Sequence, residues 1–297
     1  MKVPASQTSS APVPSPVDKD ATRLREHHRE VMQNILESNQ LQRGISGLHS
    51  LRRVHITVHQ HDESDDPRLI QTIINCIASL PAVEDFSFAL PFELSLRKPI
   101  LSLNPLANLK ILTVKNLPRS SNLMIVEFTQ LVARSPQLHT LDVSGEQPYF
   151  LPLDFLVGPE DLVKEASRRG ITLPIQILNC RRVPVNQHKF QKELHHFRRL
   201  QNICCSQGPV FDLLKREKIW AASISTSGYS LASLEYLTSY SGLQSLKLHT
   251  IPLPRPRPNA DRRKQAFSLM DATLRRHKNT LTDFDNRAVR AFLAHWR

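Results

Sequence analysis

Leu106-Ala107-Asn108-Leu109-Lys110-Ile111-Leu112-Thr113-Val114-Lys115-Asn116-Leu117 places apolar residues at 106, 109, 112 and 114. Two variable residues separate each of the first three, and one separates the last pair. A step of two is the period of a strand, whose side chains alternate between faces. Leu112 and Val114 therefore point one way, and Thr113 points the other. The same template returns as Leu48, Leu51, Val54, Ile56 and as Leu80, Val83, Phe86, Phe88. Ser135, Leu138, Leu141, Val143 repeat it with a weaker first position. Phe197, Leu200, Ile203, Cys205 and Tyr240, Leu243, Leu246, Leu248 close the series.

This spacing is that of a leucine-rich repeat, with one short strand in each unit. Between the strands the apolar period lengthens to that of a helix. Asp66 before Pro67 is a helix start, and Leu69, Ile70, Ile73, Ile74 and Ile77 line one face behind it. Ser121 precedes a helix carrying Leu123, Val126, Phe128, Leu131 and Val132. Pro159 opens another that Gly170 stops, and Ser230 begins one with Leu231, Leu234 and Leu237. One helix–strand pair per unit predicts an α/β fold, an irregular leucine-rich-repeat-like solenoid with short parallel strands and outer helices. The units are uneven and lengthen around inserts near 145–160 and 252–262.

Residues 1–17 are rich in Pro, Ser, Ala and Thr and read as a disordered tail. Residues 18–43 read as an N-terminal helix and linker, with Asp20 as the N-cap of a helix over 21–38. Residues 44–297 read as the array with its C-terminal helix. The opening MKVPASQTSS has no apolar core, and no stretch is apolar enough to span a membrane. The expected location is intracellular, cytoplasmic or nuclear, with no membrane partner. Cys76, Cys180, Cys204 and Cys205 form no CxxC pair and read as buried thiols. Eight glycines in 297 residues argue against glycine-rich phosphate loops, which need backbone free of Cβ. No cofactor is expected.

Four features invite a chemical reading. His55, His59 and His61 alternate on one strand face and its exit, as metal ligands can, but a solvated face needs no metal. Gly228-Tyr229-Ser230-Leu231-Ala232 resembles a nucleophile elbow, yet Ser230 equally caps the helix that follows. Pro252-Leu253-Pro254-Arg255-Pro256-Arg257-Pro258 favours a stiff polyproline insert. Arg168-Arg169, Arg181-Arg182, Arg198-Arg199 and Arg275-Arg276 add to a net charge of +12 and would gather on an outer helical face. No nucleic-acid module accompanies them. The expected site is a binding surface with no metal, cofactor or catalytic group.

Ser239-Tyr240-Ser241-Gly242-Leu243-Gln244-Ser245-Leu246-Lys247-Leu248 resembles a repeat unit of fungal, especially basidiomycete, F-box-like proteins. His277-Lys278-Asn279-Thr280-Leu281-Thr282-Asp283-Phe284 is similar to that family's continuation after an insert. The resemblance covers the second half of the chain and the repeat spacing before it. It implies a horseshoe-like array that recognises substrate proteins for a ubiquitin ligase. Complete members carry an F-box that docks on a cullin-ligase adaptor. No F-box is legible near the N-terminus. Leu90-Pro91-Phe92-Glu93-Leu94 matches only its opening, and Pro99 and Pro105 break the helices it requires. A cullin-ligase adaptor is therefore not an expected partner.

The expected function is that of a non-catalytic protein–protein interaction scaffold. A basic nucleic-acid-binding protein is the alternative. Strand phase names the contact residues as His55, Thr57, Glu84, Ser87, Lys110, Thr113, His139, Asp142, Ser245 and Lys247. A one-residue slip in register would replace them all.

Overall fold

A computed structural model describes residues 40–58, 67–89, 101–116, 124–145, 157–226, 230–248 and 260–285, with helical positions 27, 30, 31 and 34 before them. The tail 1–17, Asp20, His59, His61, Asp66, Ser121, residues 90–94, Gly228, Tyr229 and the 252–258 run lie outside these.

Nine strands form one parallel sheet in which each strand lies beside the next in sequence. They are β1 Arg53–Thr57, β2 Asp85–Ala89, β3 Ile111–Lys115, β4 Thr140–Ser144 and β5 Ile177–Arg181. β6 Asn202–Cys205, β7 Ser223–Thr226, β8 Ser245–Leu248 and β9 Asp283–Phe284 follow. The helices are α1 Gln40–Ser46, α2 Pro67–Ala78, α3 Met124–Ala133 and α4 Pro159–Arg168. α5 Gln187–Lys192, α6 Gly208–Arg216, α7 Leu231–Thr238 and α8 Ala260–His277 complete the set among the described residues. A short 3-10 turn, Leu194–Phe197, precedes β6. From α3 to α8 each helix packs on the next.

The template residues explain this arrangement. Leu106, Leu109, Leu112 and Val114 are buried, as are Ser135, Leu138, Leu141 and Val143. The alternate strand residues are left partly open, as in the pattern of β4, where Leu141 and Val143 are buried and Thr140, Asp142 and Ser144 are not. One face of the sheet thus carries the core. Each fully buried aliphatic side chain contributes roughly 1.5–3 kcal/mol, so a repeated pair per strand holds the helices to that face. Leu48 departs from the rule and is half exposed. It belongs to the first unit, at the N-terminal edge of the sheet.

Two hydrogen-bonding devices join the units among the described residues, the first at every junction and the second at four of them. At each junction two consecutive N–H groups donate to one carbonyl of the preceding strand's entry. Glu84 and Asp85 donate to Arg52, Lys110 and Ile111 to Glu84, and His139 and Thr140 to Lys110. The series runs unbroken to Thr282 and Asp283 on Gln244. The second device satisfies a buried N–H just before the strand with a side chain from the next unit. Leu109 donates to Ser135 Oγ at 3.1 Å, Leu173 to His196 Nδ1 at 2.9 Å, Ala221 to Tyr236 Oη at 2.8 Å and Leu243 to His277 Nδ1 at 3.2 Å. Each acceptor also has its own proton placed. Ser135 donates to the Leu131 carbonyl, Tyr236 to that of Ile219 and His277 Nε2 to that of Leu237. Only side chains that accept and donate together fit such a place.

The structure departs from the sequence reading in four ways. Three units escaped the template, those of β5, β7 and β9, so the apparent lengthening of later units is partly missed strands. β5 ends its pair on Cys180, and β7 pairs Ile224 with Thr226 behind Ala221, residues too small or polar to register as leucine positions. The β2-to-β3 unit shows no helix among the described residues. An extended run fills the gap between α2 and α3: Gln71 accepts from Ser102 N and donates to Ser102 O, and Glu127 accepts from Leu103 N at 2.6 Å. The basic dipeptides do not share helical faces. Arg181 ends a strand, and Arg198 and Arg199 sit in the turn before β6. α1 also crosses the boundary drawn at residues 43 and 44.

Helix ends follow their residues. Gly170 at φ +69° closes α4, with Ile171 N bonding to Ala166 O and Gly170 N to Ser167 O, a Schellman cap. α6 closes the same way, but Lys218 takes the left-handed position at φ +56°. A side chain there costs about 1–2 kcal/mol, against which the loose unfolded state of glycine offsets a part. Lys218→Gly is expected to stabilise the fold by about 0.5–1 kcal/mol in urea denaturation. Ser135→Ala leaves the buried Leu109 N–H without a partner and is expected to cost about 1–3 kcal/mol in the same assay.

Candidate partner-binding face

The face of the sheet opposite the buried core carries the outward residues in register. Its middle row reads His55, Ser87, Thr113, Asp142, Asn179, Cys204, Ser225 and Lys247. All ten residues assigned by strand phase fall on this face or at the entry to its strands, and none is buried. Several of them bond to one another. His55 Nδ1 and Ser87 Oγ are 2.6 Å apart, and Thr57 Oγ1 lies 2.9 Å from His55 Nε2. Both ring nitrogens of His55 are thus engaged within the face. Lys110 Nζ pairs with Glu84 Oε1 at 2.7 Å. Lys247 and Ser245 both reach Asp283, each at 2.9 Å. Asn179 donates to Asp142 at 3.0 Å. Thr113 stands between Ser87 and Asp142.

A shallow cleft of about 400 Å³ opens where β1 to β4 enter the sheet. Arg52, Arg53, Glu84, Asp85, Lys110, Ile111 and His139 line it. Both residues of the pairs 52–53, 84–85 and 110–111 reach the same cleft. Strict alternation forbids this, and the shared carbonyl at each entry is the reason it occurs. Two residues on one strand there oppose one on its neighbour, as in a bulge, so the residue before the strand joins the open face. Alternation itself turns Arg53, Asp85 and Ile111 outward, in phase with His55, Ser87 and Thr113, and the sequence reading passed over them; Glu84, Lys110 and His139, which it named, stand out of phase and join the face through this bulge. The charges alternate across the strands, with Arg53 on Asp85 at 2.5 Å beside the Lys110–Glu84 pair. The Lys110 ammonium holds the Glu84 carboxyl below its ordinary range.

Ser230 caps α7, its hydroxyl accepting from Ser233 N at 3.0 Å, which accounts for it without nucleophilic chemistry. The four cysteines are buried free thiols. Among the described residues one group brings three metal-type donors together, Glu193, His195 and His196, within 4.8 Å of one another. The hydrogen bonds decide against a metal. His196 Nδ1 accepts from Leu173 N, so its proton sits on Nε2 and points at Ser167 Oγ, 2.8 Å away. Ser167 passes its own proton to the Glu193 carboxylate. The lone pair that a metal needs on Nε2 is not present in this tautomer. Burial, reinforced by His195, pushes the His196 imidazole down to about 4.

Glu160 is buried in the first turn of α4. One carboxyl oxygen accepts from Asn186 N at 2.7 Å, and the other has no partner among the described residues. Gly158 permits this fold-over, because a Cβ there would collide with the carboxyl. Burial raises the Glu160 carboxyl to about 7.

Compared with family models, with curated proteins and with solved structures, the chain finds no match.

The two shifted groups titrate in opposite senses. His196 lies below its ordinary 6.5, so its contribution is complete above that pH and is lost as pH falls toward about 4. Glu160 lies above its ordinary 4.5, so its contribution is complete below that pH and is lost as pH rises through about 7. In Glu160→Gln, the urea midpoint should fall steadily as pH is lowered from 6.5 to 4. In His196→Gln it should fall instead as pH is raised from 4.5 to 7. Equimolar zinc should leave the thermal midpoint of the wild type unmoved to within about a degree, because a cation bound only by the folded state would raise it.

Proposed function

We propose that the chain is a leucine-rich-repeat-like solenoid whose open sheet face binds a partner protein, without catalysis. One observation carries this reading: the entry carbonyl is shared in the same way at every junction from β1 to β9. A unit that repeats so closely in bonding stacks one strand at a time and presents a long continuous surface. The face is dressed with short polar side chains, and its charges are mostly paired internally. Such a surface suits shape-and-hydrogen-bond recognition of another polypeptide. The short aromatic supply, 6%, gives little for stacking nucleobases.

The resemblance at 239–284 narrows the reading to arrays that select substrates for ubiquitin ligases. Its residues form one joint between consecutive units. Tyr240 donates to Ala221 O, His277 accepts from Leu243 N and Thr280 donates to Leu243 O. The motif therefore supports a shared architecture, and the partner remains a separate question.

A photo-crosslinking amino acid at position 113, on the open face, is compared with one at 126, exposed on α3. In nuclease-treated cell extract, protein adducts are expected from 113 and not from 126, and they should disappear in the Ser87→Arg background. Equal adducts from both positions would overturn the open-face assignment. Adducts that include a cullin-ligase adaptor would extend the reading to ligase membership.

A further inference from the structure

At the C-terminal ends of the strands, the open face carries the in-register row Thr57, Ala89, Lys115, Ser144 and Arg181. Lys115 and Arg181 are exposed, on either side of Ser144. The ion pairs of this face are Arg53–Asp85, Lys110–Glu84 and Lys247–Asp283. Among the described residues neither Lys115 nor Arg181 has an acidic partner at ion-pair distance. Arg181 is oriented, because its Nε donates to Cys204 Sγ at 3.4 Å. That contact leaves the two terminal nitrogens of the guanidinium uncommitted. The nearest carboxylate in the neighbouring row, Asp142, is tied to the Asn179 amide.

Adjacent strands lie about 4.8 Å apart, so two strand steps separate the two cations by roughly 10 Å. An extended polyproline-II chain has three residues per turn and advances about 3.1 Å per residue, so carboxylates three residues apart lie on one face and span about the same distance. Ser144, between the two cations, is short and keeps the floor low enough for a backbone to approach. The fit is to an anionic segment in polyproline-II conformation laid across β3 to β5, and the chain's net charge of +12 favours an anionic partner at long range.

We propose that this row is the docking site for an acidic, extended segment of the partner protein, with carboxylates three residues apart seated on Lys115 and Arg181. The proposal rests on the partner-binding reading of the open face. It adds the chemistry of the segment recognised and its direction across the strands.

Fluorescence anisotropy at low salt with the full chain tests it. The probes are a twelve-residue glycine–serine peptide with glutamate at every third position, a peptide of identical composition with its glutamates in one block, and a twelve-nucleotide oligouridine. The spaced peptide is expected to bind at least about fivefold more tightly than the blocked one. The Lys115→Gln/Arg181→Gln variant is expected to weaken the spaced peptide about tenfold and to remove its advantage. Asp142→Asn should tighten binding about two- to threefold, by removing a like charge. Lys192→Gln/Arg216→Gln, exposed and off the sheet face, should stay within about twofold of wild type. Equal affinity for the two peptides, an equal loss in the off-face variant, or tighter binding of the oligouridine would overturn the proposal. A partner that crosslinks to position 113 while these results fail would leave the open-face reading standing and discard only the acidic segment.

Discussion

A buried backbone N–H must find an acceptor, and in this protein the acceptor belongs to the next unit. Leu109, Leu173, Ala221 and Leu243 each turn an amide inward just before a strand. Ser135, His196, Tyr236 and His277 answer them from one unit further along. An unanswered amide at such depth costs about 1–3 kcal/mol, so the bond works as a requirement of folding more than as a source of surplus stability. It ties unit to unit in the way the shared carbonyls tie strand to strand. A unit cut from its successor would hold an amide it cannot satisfy.

This requirement accounts for several residues that are otherwise puzzling. Ser135 stands at a template position where an aliphatic residue is usual, because the site needs a hydroxyl. His196 and His277 are buried, as histidines seldom are without a task. Each accepts on Nδ1, which spends the lone pair that a metal would use. The cluster of Glu193, His195 and His196 is thereby a structural joint, although its composition invites a metal. The same logic places the scaffold on the helical side and leaves the opposite face of the sheet free of structural duty. Its residues pair with one another loosely and at the surface, where ion pairs contribute little to stability.

Much of the strand core was legible in the chain, and the reason is periodicity. Leu112 and Val114, Leu141 and Val143, and Leu246 and Leu248 announce their strands because burial on one face demands large apolar groups at every second residue. The units of β5 and β7 were not legible, because Cys180, Ala221 and Thr226 fill narrower spaces that no single-chain pattern reveals. The extended run at 101–109 was read as part of a repeat, since its leucines fit the template. What holds that run, the Gln71, Glu127 and Arg134 brackets, depends on side chains far away in sequence. On the open face, phase found Thr113 and Lys247. It passed over Arg53, Asp85 and Ile111, which alternation also turns outward, and the out-of-phase Glu84, Lys110 and His139 reach the face because alternation fails at the shared carbonyl.

The sequence by itself determined the class of the fold, α/β with parallel strands, and which face of most strands is buried. Local spacing and helix punctuation suffice for that, since both are short-range consequences of where apolar groups must go. Only the tertiary structure decided the number of strands, the interlocking of units and the company each exposed residue keeps. Lys115 and Arg181 are 66 positions apart in the chain and become near neighbours because β4 alone lies between their strands. His196 became an acceptor because Leu173 turned toward it. Those relations arise from contacts between residues distant in sequence, and a periodic pattern read along one chain carries no record of them.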